Sequence, residues 1–205
     1  MMNLKDTLLT TTFELFLKYG IKSVSMDDIS RKLGISKKTI YLFVSTKEDL
    51  IQDVIDIQLK KDEKDINNIL DKSEDAIDEM INIAKHALTF LRQMTPSLIY
   101  DLKKYHSQSW EKIETLHFAF IEKTILNNLQ RGQVEGYYRQ DFEPKIISKL
   151  YVYTSTTIAD QDKFQIDDFD RVLLFKEMIR YHLRGIVSEK GLKLIEQQHK
   201  NFLNL

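Results

Sequence analysis

The sequence predicts an all-α protein, and three observations carry that prediction. Among 205 residues there are only two prolines and six glycines, so little punctuates the chain and long helices are expected. Apolar residues recur at spacings of three and four nearly everywhere, and no segment reads as a strand. Where apolar stripes begin, Ser25 precedes Asp28 and Thr46 precedes Asp49, each pair spaced as a capping box.

Each element follows in order. Leu9, Phe13, Phe16 and Leu17 form a first stripe that ends at Gly20, a good C-terminal stop. "SMDDISRKLG" opens on the cap Ser25, turns Ile29 and Leu33 inward and ends at Gly34. Ser36 caps a third helix that carries Ile40 and either Phe43 or Val44 inward. These three helices are expected to be short. The helix opened by Thr46 sets Leu50, Val54 and Ile57 on one face. The charged passage "KKDEKDINN" (60–68) reads as an exposed helix or a boundary, and 74–94 as an amphipathic helix stopped by Pro96. A short helix and then a long one ending near Gly132 come next, and Gly136 supplies a turn. "KIISKLYVYTSTTIAD" and "DRVLLFKEMIRYHLRGIV" are helices with broad apolar faces. A last helix over 189–203 has Leu192, Ile195 and Phe202 on one side.

Composition narrows the function. A hydrophobic content of 42% suits a proper core, and 30% charged residues suit a solvated surface. Cysteine is absent, which excludes disulfides and thiolate metal sites and fits a reducing cytoplasm. The N-terminus does not read as a signal peptide. No apolar run approaches the roughly 18 residues of a membrane span, so no membrane partner is expected. The net charge is −1, with residues 1–50 at +2 and the remainder at −3. A polyanion would therefore have to be met by a local patch such as Arg31, Lys32, Lys37 and Lys38. With no Gly-rich phosphate loop and no nucleophile elbow, an enzyme is not expected, and no cofactor is implied.

"LGISKKTIYLFVSTKEDL" (33–50) is the informative stretch. It places Lys37 and Lys38 in the first turn of a helix, where the dipole disfavours positive charge. The two short helices joined by "LGIS" have the helix-turn-helix pattern, whose second helix presents its N-terminal residues to the DNA major groove. Phosphates opposite the lysines would exceed a dipole cost of under about 1 kcal/mol. Tyr41 shares a face with Lys37, and Leu42 falls on the face of Lys38, where it can touch a thymine methyl or pack in the core.

At these residues the chain resembles the TetR family of bacterial transcriptional repressors. The matches are Leu15, Phe16 and Gly20; Ser25, Asp28 and Ile29; Gly34, Ile35, Ser36 and Lys37; Thr39, Ile40 and Tyr41; and Lys47, Glu48 and Leu50. "GYYRQD" (136–141) is similar to a connector found in many of these repressors. There are departures. Thr11 and Thr12 replace small alanines, Ser30 an alanine, Lys38 a glycine, and Val44 a core phenylalanine. Phe43 stands where a Tyr or His usually reaches phosphate, so that hydrogen bond is lost. The resemblance covers roughly the first 55 residues and implies that Lys47 binds phosphate with the helix N-terminus. The candidate DNA-contacting residues are Ser25, Ser36, Lys37, Lys38, Thr39, Tyr41, Leu42 and Lys47.

The expected organisation is a helix-turn-helix DNA-binding domain over 1–46 and a helical ligand-binding and dimerisation domain over 47–205, linked by the helix from 46 to about 70. The resemblance implies a small-molecule effector pocket, with candidates His86, Phe90, Tyr100, Tyr105, Trp110, His117, Phe118 and Tyr151. A homodimer is expected through Ile147, Leu150, Tyr151 and Thr154 on one helix and Val172, Ile179, Leu183 and Ile186 on the next; paired faces so wide can build a four-helix bundle. His182 is expected in the core or an interface. With these features, the resemblance implies a ligand-responsive repressor binding a pseudo-palindromic operator. Two rivals stand beside that reading. One is a di-metal helical bundle using Glu114 with His117 and Glu196 with His199. The other is an architectural DNA-binding protein without a ligand.

Overall fold

The computed structural model describes residues 3–160 and 170–198. Among them are eleven α-helices. They are α1 Leu4–Tyr19, α2 Met26–Leu33, α3 Lys37–Ile40, α4 Lys47–Lys72, α5 Ala76–Gln93, α6 Pro96–Tyr105, α7 Ser107–Lys112, α8 Phe118–Val134, α9 Pro144–Ala159, α10 Arg171–Ile186 and α11 Glu189–Gln198, with a π turn at Ile113–His117 between α7 and α8. No helix among the described residues is long and apolar enough to cross a membrane.

Caps set the boundaries. Asn3 opens α1 by accepting from the Asp6 amide at 2.8 Å, and Gly20, at φ +78°, ends it. α1 is longer than expected, at sixteen residues, because nothing between Asn3 and Gly20 breaks a helix. Both arms of the Ser25–Asp28 box are formed, and Gly34 closes α2 at φ +67°. Ser36 caps α3 through the Thr39 amide at 3.0 Å. At α4 the Thr46 amide donates to Asp49 at 2.9 Å and the Asp49 amide donates to Thr46 Oγ1 at 3.0 Å. Residues 60–68 lie inside an unbroken α4, since their charges need only solvent. α8 runs past Gly132 to Val134. In α11 Ile195 is buried but Leu192 is 39% exposed; Phe202 and His199 lie outside the described residues.

The chain divides into two compact units. The first takes in α1 to α3, α4 as far as Glu63, and Gln93–Thr115; the second takes in Lys64–Arg92 and the chain from Leu116. The core of the first unit includes Leu8, Leu9, Phe16, Ile21, Ile29, Ile40, Leu50, Ile51, Val54 and Ile55. Each such side chain contributes about 1.5–3 kcal/mol by leaving water. Val44, not Phe43, is the inward residue after α3, and the buried α4 stripe is shifted from the expected one, with Ile57 only half-buried. Thr12 is fully buried and its Oγ1 meets no hydrogen-bond partner among the described residues. Such a group costs about 1–3 kcal/mol.

In this unit α6 packs on α1. The Thr95 amide donates to Leu17 O at 3.0 Å, and the Lys22 amide donates to the buried Asp101 carboxylate at 2.8 Å. Gly20 permits the approach, since a Cβ there would lie 2.7 Å from Ser97 Oγ. Three residues of α4 spaced by four form a ladder to α7 and its cap. Glu48 meets His106 at 2.6 Å, Gln52 meets Gln108 at 3.0 Å, and Asp56 meets Lys112 at 2.9 Å.

The second unit is built on a buried polar network where α5 meets α8. Arg131 bonds Glu79 and Glu135, both at 2.7 Å, and donates to Ser73 O and Glu74 O in the connection between α4 and α5. Asn128 Nδ2 donates to Ala76 O and Glu79, and the Tyr138 hydroxyl donates to Ala76 O at 2.8 Å. Burial, with Glu79 nearby, pushes the Tyr138 phenol well above its usual pKa. α9 packs on α8, and α10 on α9.

A candidate nucleic-acid interface

The first unit displays a helix-turn-helix whose inner side is apolar and whose outer side is polar and basic. Ile29 and Ile40 are fully buried and hold α2 against α3. That leaves Ser36, Lys37, Lys38, Tyr41 and Leu42 exposed, with Tyr41 at 48% and Leu42 at 76%. Leu42 is therefore not a core residue. Tyr41 does not pack into the interior either, so its hydroxyl is available to solvent or to phosphate. Ser25 lies exposed at the start of α2, but its hydroxyl is engaged with Asp28 at 2.6 Å. Thr39 is half-buried, and its Oγ1 meets Ser36 Oγ at 2.9 Å.

The two lysines at the head of α3 differ. Lys37 Nζ pairs with Asp27 in the first turn of α2 at 3.0 Å, so part of the unfavourable dipole is offset from within. Lys38 meets no acceptor among the described residues. Lys47 is half-buried and donates to Ile21 O at 2.8 Å. Desolvation pulls its pKa down, while Asp101 and Asp28 act the other way. An ammonium has three donors, so Lys47 keeps two for another acceptor while fixing the α1–α2 turn.

The remaining candidates are divided. Tyr100, Tyr105 and Trp110 belong to the first unit, and His86, Phe90, His117, Phe118 and Tyr151 to the second. Tyr100 and Tyr105 lie at the surface of the first unit. They are 40% and 44% exposed, edge-to-face at 6.3 Å, among lysines. The neighbouring Lys103 and Lys104 were the available signal. Lys103 lies over the Trp110 ring at 5.1 Å. In the second unit Tyr151 is buried against His182, ring to ring at 5.0 Å, and His117 lies 6.2 Å from Phe118.

Of the dimer candidates, Tyr151, Ile179, Leu183 and Ile186 are buried within the single chain, whereas Leu150 and Thr154 are exposed. Ile147 and Val172 are half-buried. Periodicity identified apolar faces but not what covers them: the face of α10 carrying Ile179, Leu183 and Ile186 is interior. The exposed apolar residues here are Ile146, Leu150 and Tyr153 on α9, and Leu173 and Tyr181 on α10. The Glu114–His117 pair lies in the π turn, whose i to i+5 bonding takes residues three apart off a common face. Among the described residues no group of three or more His, Cys, Asp or Glu is placed to hold a metal.

Residues 8–54 match the family profile "Bacterial regulatory proteins, tetR family". Over 194 residues the chain is 30% identical to an uncharacterized HTH-type transcriptional regulator, YvaF, of Bacillus subtilis strain 168, covering 89% of this chain and 95% of that one. Its fold is similar to that of a TetR-family regulator from Agrobacterium tumefaciens, with TM-score 0.73, 16% identity and coverage of 90% and 97%. It is also similar to the fatty acid degradation regulator FadR from Bacillus halodurans, with TM-score 0.67, 16% identity and coverage of 90% and 97%. At such identities the two structures speak for the fold alone.

Proposed function

The chain belongs to the tetR family of bacterial regulatory proteins, and from that premise we propose that it is a ligand-responsive repressor that binds a pseudo-palindromic operator as a homodimer. In this reading residues 1–46 contact DNA, residues 47–205 sense a small molecule and dimerise, and α4 joins the two functions. The observation that carries it is the doubly capped helix-turn-helix with Lys38, Tyr41 and Leu42 outward and Ile40 inward. Lys38 and Leu42 would read base edges, while Tyr41 and Lys47 would hold phosphate. The test is selection of duplexes from a random pool by the full chain, followed by salt titrations. Lys47→Ala is expected to weaken binding to every sequence and to flatten the salt dependence by about one counterion per site. A Lys37/Lys38/Lys47 triple alanine variant that binds as tightly as wild type would sink the assignment.

The proposed effector is apolar or amphipathic. His86, Phe90, His117 and Phe118 in the second unit support it. α4 is the proposed lever, because its ladder at Glu48, Gln52 and Asp56 ties it to α7. A ligand favouring a tilted α4 would carry the two α3 helices off a half-site spacing of about 34–36 Å. A tenfold loss of DNA affinity needs only about 1.4 kcal/mol of coupling. A compound screen read by thermal shift and by operator release tests this. Compounds that raise the melting temperature yet leave operator affinity unchanged would overturn the regulatory half.

The proposed dimer uses the exposed face of α9 and α10, with Leu150 and Thr154 retained from the expected set. Ile146, Tyr153, Leu173 and Tyr181 take the place of the residues already buried.

A further inference from the structure

The aromatic residues that the pocket reading leaves over form a cluster of their own. Tyr105 Oη accepts from Lys22 Nζ at 3.3 Å, and that ammonium lies 4.9 Å from the Tyr105 ring centroid. Lys104 Nζ donates to Tyr100 Oη and lies 4.9 Å and 5.5 Å from the Tyr100 and Tyr105 centroids. Lys18 lies 5.0 Å over Tyr19, which is 49% exposed. Lys18, Lys22 and Lys104 form no ion pair among the described residues. The Asp101 carboxylate beside Lys22 is buried and engaged by the Lys22 amide. Hydrogen bonding from Lys22, with Lys104 beside it, holds the Tyr105 phenol below its usual pKa. Each phenol oxygen accepts from a lysine, so each O–H remains free to donate outward. The cluster therefore offers ammonium charge and hydroxyl donors with no carboxylate to satisfy them, which is the chemistry of a phosphodiester contact.

Its place in the first unit identifies the polyanion. Lys22 lies three residues before Ser25, the cap of α2, and Lys47 at the head of α4 donates to Ile21 O beside it. The cluster thus borders the helix-turn-helix directly. We infer that Lys22, Lys104, Tyr100 and Tyr105 form a second DNA contact, on the phosphate backbone flanking the half-site read by α3. The inference rests on the reading of α3 as the DNA-contacting helix. A chain of net charge −1 binds a polyanion through local patches, and this one extends the footprint beyond α3.

The probe is a duplex recovered from the random pool by the wild-type chain. It is made in two lengths, the selected consensus half-sites alone and the same core with about one helical turn, roughly ten base pairs, added at each end. Lys22→Gln/Lys104→Gln is expected to bind the extended duplex about tenfold more weakly and with a salt slope shallower by about two per protomer. It should bind the core duplex as wild type does, and Lys22→Arg/Lys104→Arg should restore the extended contact. Lys37→Ala/Lys38→Ala is expected to lose affinity on both lengths, which reports on α3 separately. Wild-type affinity and salt slope of the glutamine variant on the extended duplex would overturn the inference while leaving α3 intact; an acidic protein as the true occupant would give that result. Equal loss on both lengths would overturn it too, by placing the lysines' effect on the core contact. If the wild-type chain recovers no duplex at all, the α3 reading and the flanking contact fall together.

Discussion

Lys37 and Lys38 are the same residue type at adjacent positions, yet the fold gives them different surroundings. Asp27 already holds Lys37 at 3.0 Å, and no acceptor among the described residues holds Lys38. On the proposed surface DNA would have to compete with Asp27 for the first and would meet the second unopposed. Asp27→Asn is therefore expected to raise duplex affinity a few-fold at low salt and to steepen the salt dependence by up to about one counterion per site. Weaker binding by Asp27→Asn in the same titration would mean that the pair positions α3 and does not compete with phosphate. His182 shows a second effect of surroundings. Burial pushes its pKa from 6.5 down to about 4, and its Nε2 meets no hydrogen-bond partner among the described residues. Between those two pH values the unfolded chain takes up a proton that the folded chain refuses. Stability is thus lost as pH falls through that window, by up to about 3 kcal/mol, and is unaffected by this group above it. His182→Leu removes the proton site and keeps an apolar contact with Tyr151. Relative to wild type, the variant is expected to gain about 2–3 kcal/mol on going from pH 7 to about pH 4.5. A wild-type-to-variant difference in unfolding free energy that is the same at both pH values would refute this account.

At the scale of elements, the second unit depends on how closely α8 meets the connector that follows it. A Cβ on Gly132 would lie 2.1 Å from a Tyr138 ring carbon. The ring cannot withdraw, because Tyr138 is 1% exposed and its hydroxyl is fixed to Ala76 O at 2.8 Å and Asn128 Oδ1 at 3.0 Å. Gly132→Ala is expected to cost about 3 kcal/mol, lowering Tm by roughly 6–12 °C in a chain of this size. Tyr138→Phe should cost only about 1–2 kcal/mol, since Ala76 O keeps Asn128 as a donor and Asn128 Oδ1 alone is left unpaired. In a Tyr138→Leu background the alanine should cost far less; additive costs in calorimetry would show that the ring is not the obstacle. This contact also marks where sequence reasoning stops. Helix starts and ends were legible because a cap and its backbone partner lie three or four residues apart, as with Ser25 and Asp28 or Thr46 and Asp49. Arg131 and Glu79 are fifty-two residues apart, Lys37 and Asp27 lie on different helices, and neither spacing carries a local signature. The candidate DNA surface was legible for the same reason as the caps, since it occupies one short run of chain. The break between the short α6 and the longer helical run from Ser107 to Val134 was also expected, but the π turn at Ile113–His117 inside that run was not, because the apolar stripe runs on through a change of helical pitch.

At the scale of the whole molecule, the proposed homodimer turns on which apolar faces remain open once the chain has folded. Ile179, Leu183 and Ile186 are the most regular apolar set on α10, but they are 1%, 0% and 3% exposed in the single chain. A residue with no surface left to bury cannot drive association. Leu150 and Tyr181, at 57% and 83% exposed, still have that surface. In a twofold dimer each substitution is felt twice. Replacing both residues by glutamate removes four apolar side chains from the proposed interface and desolvates four carboxylates. At about 1.5–3 kcal/mol for each buried apolar side chain, the loss exceeds the roughly 4.1 kcal/mol that separates a nanomolar from a micromolar dissociation constant. Leu150→Glu/Tyr181→Glu is therefore expected to elute from a sizing column with light scattering as a folded monomer of 24.3 kDa. Wild type should elute at twice that mass at micromolar concentration. Leu183→Glu is expected to behave differently, because its carboxylate enters the core of the second unit. Its far-ultraviolet dichroism should collapse in place of a clean shift from dimer to monomer. A wild-type chain that is monomeric at micromolar concentration would remove the dimer. A folded Leu183→Glu monomer alongside a dimeric Leu150→Glu/Tyr181→Glu would return the interface to the face that is interior here.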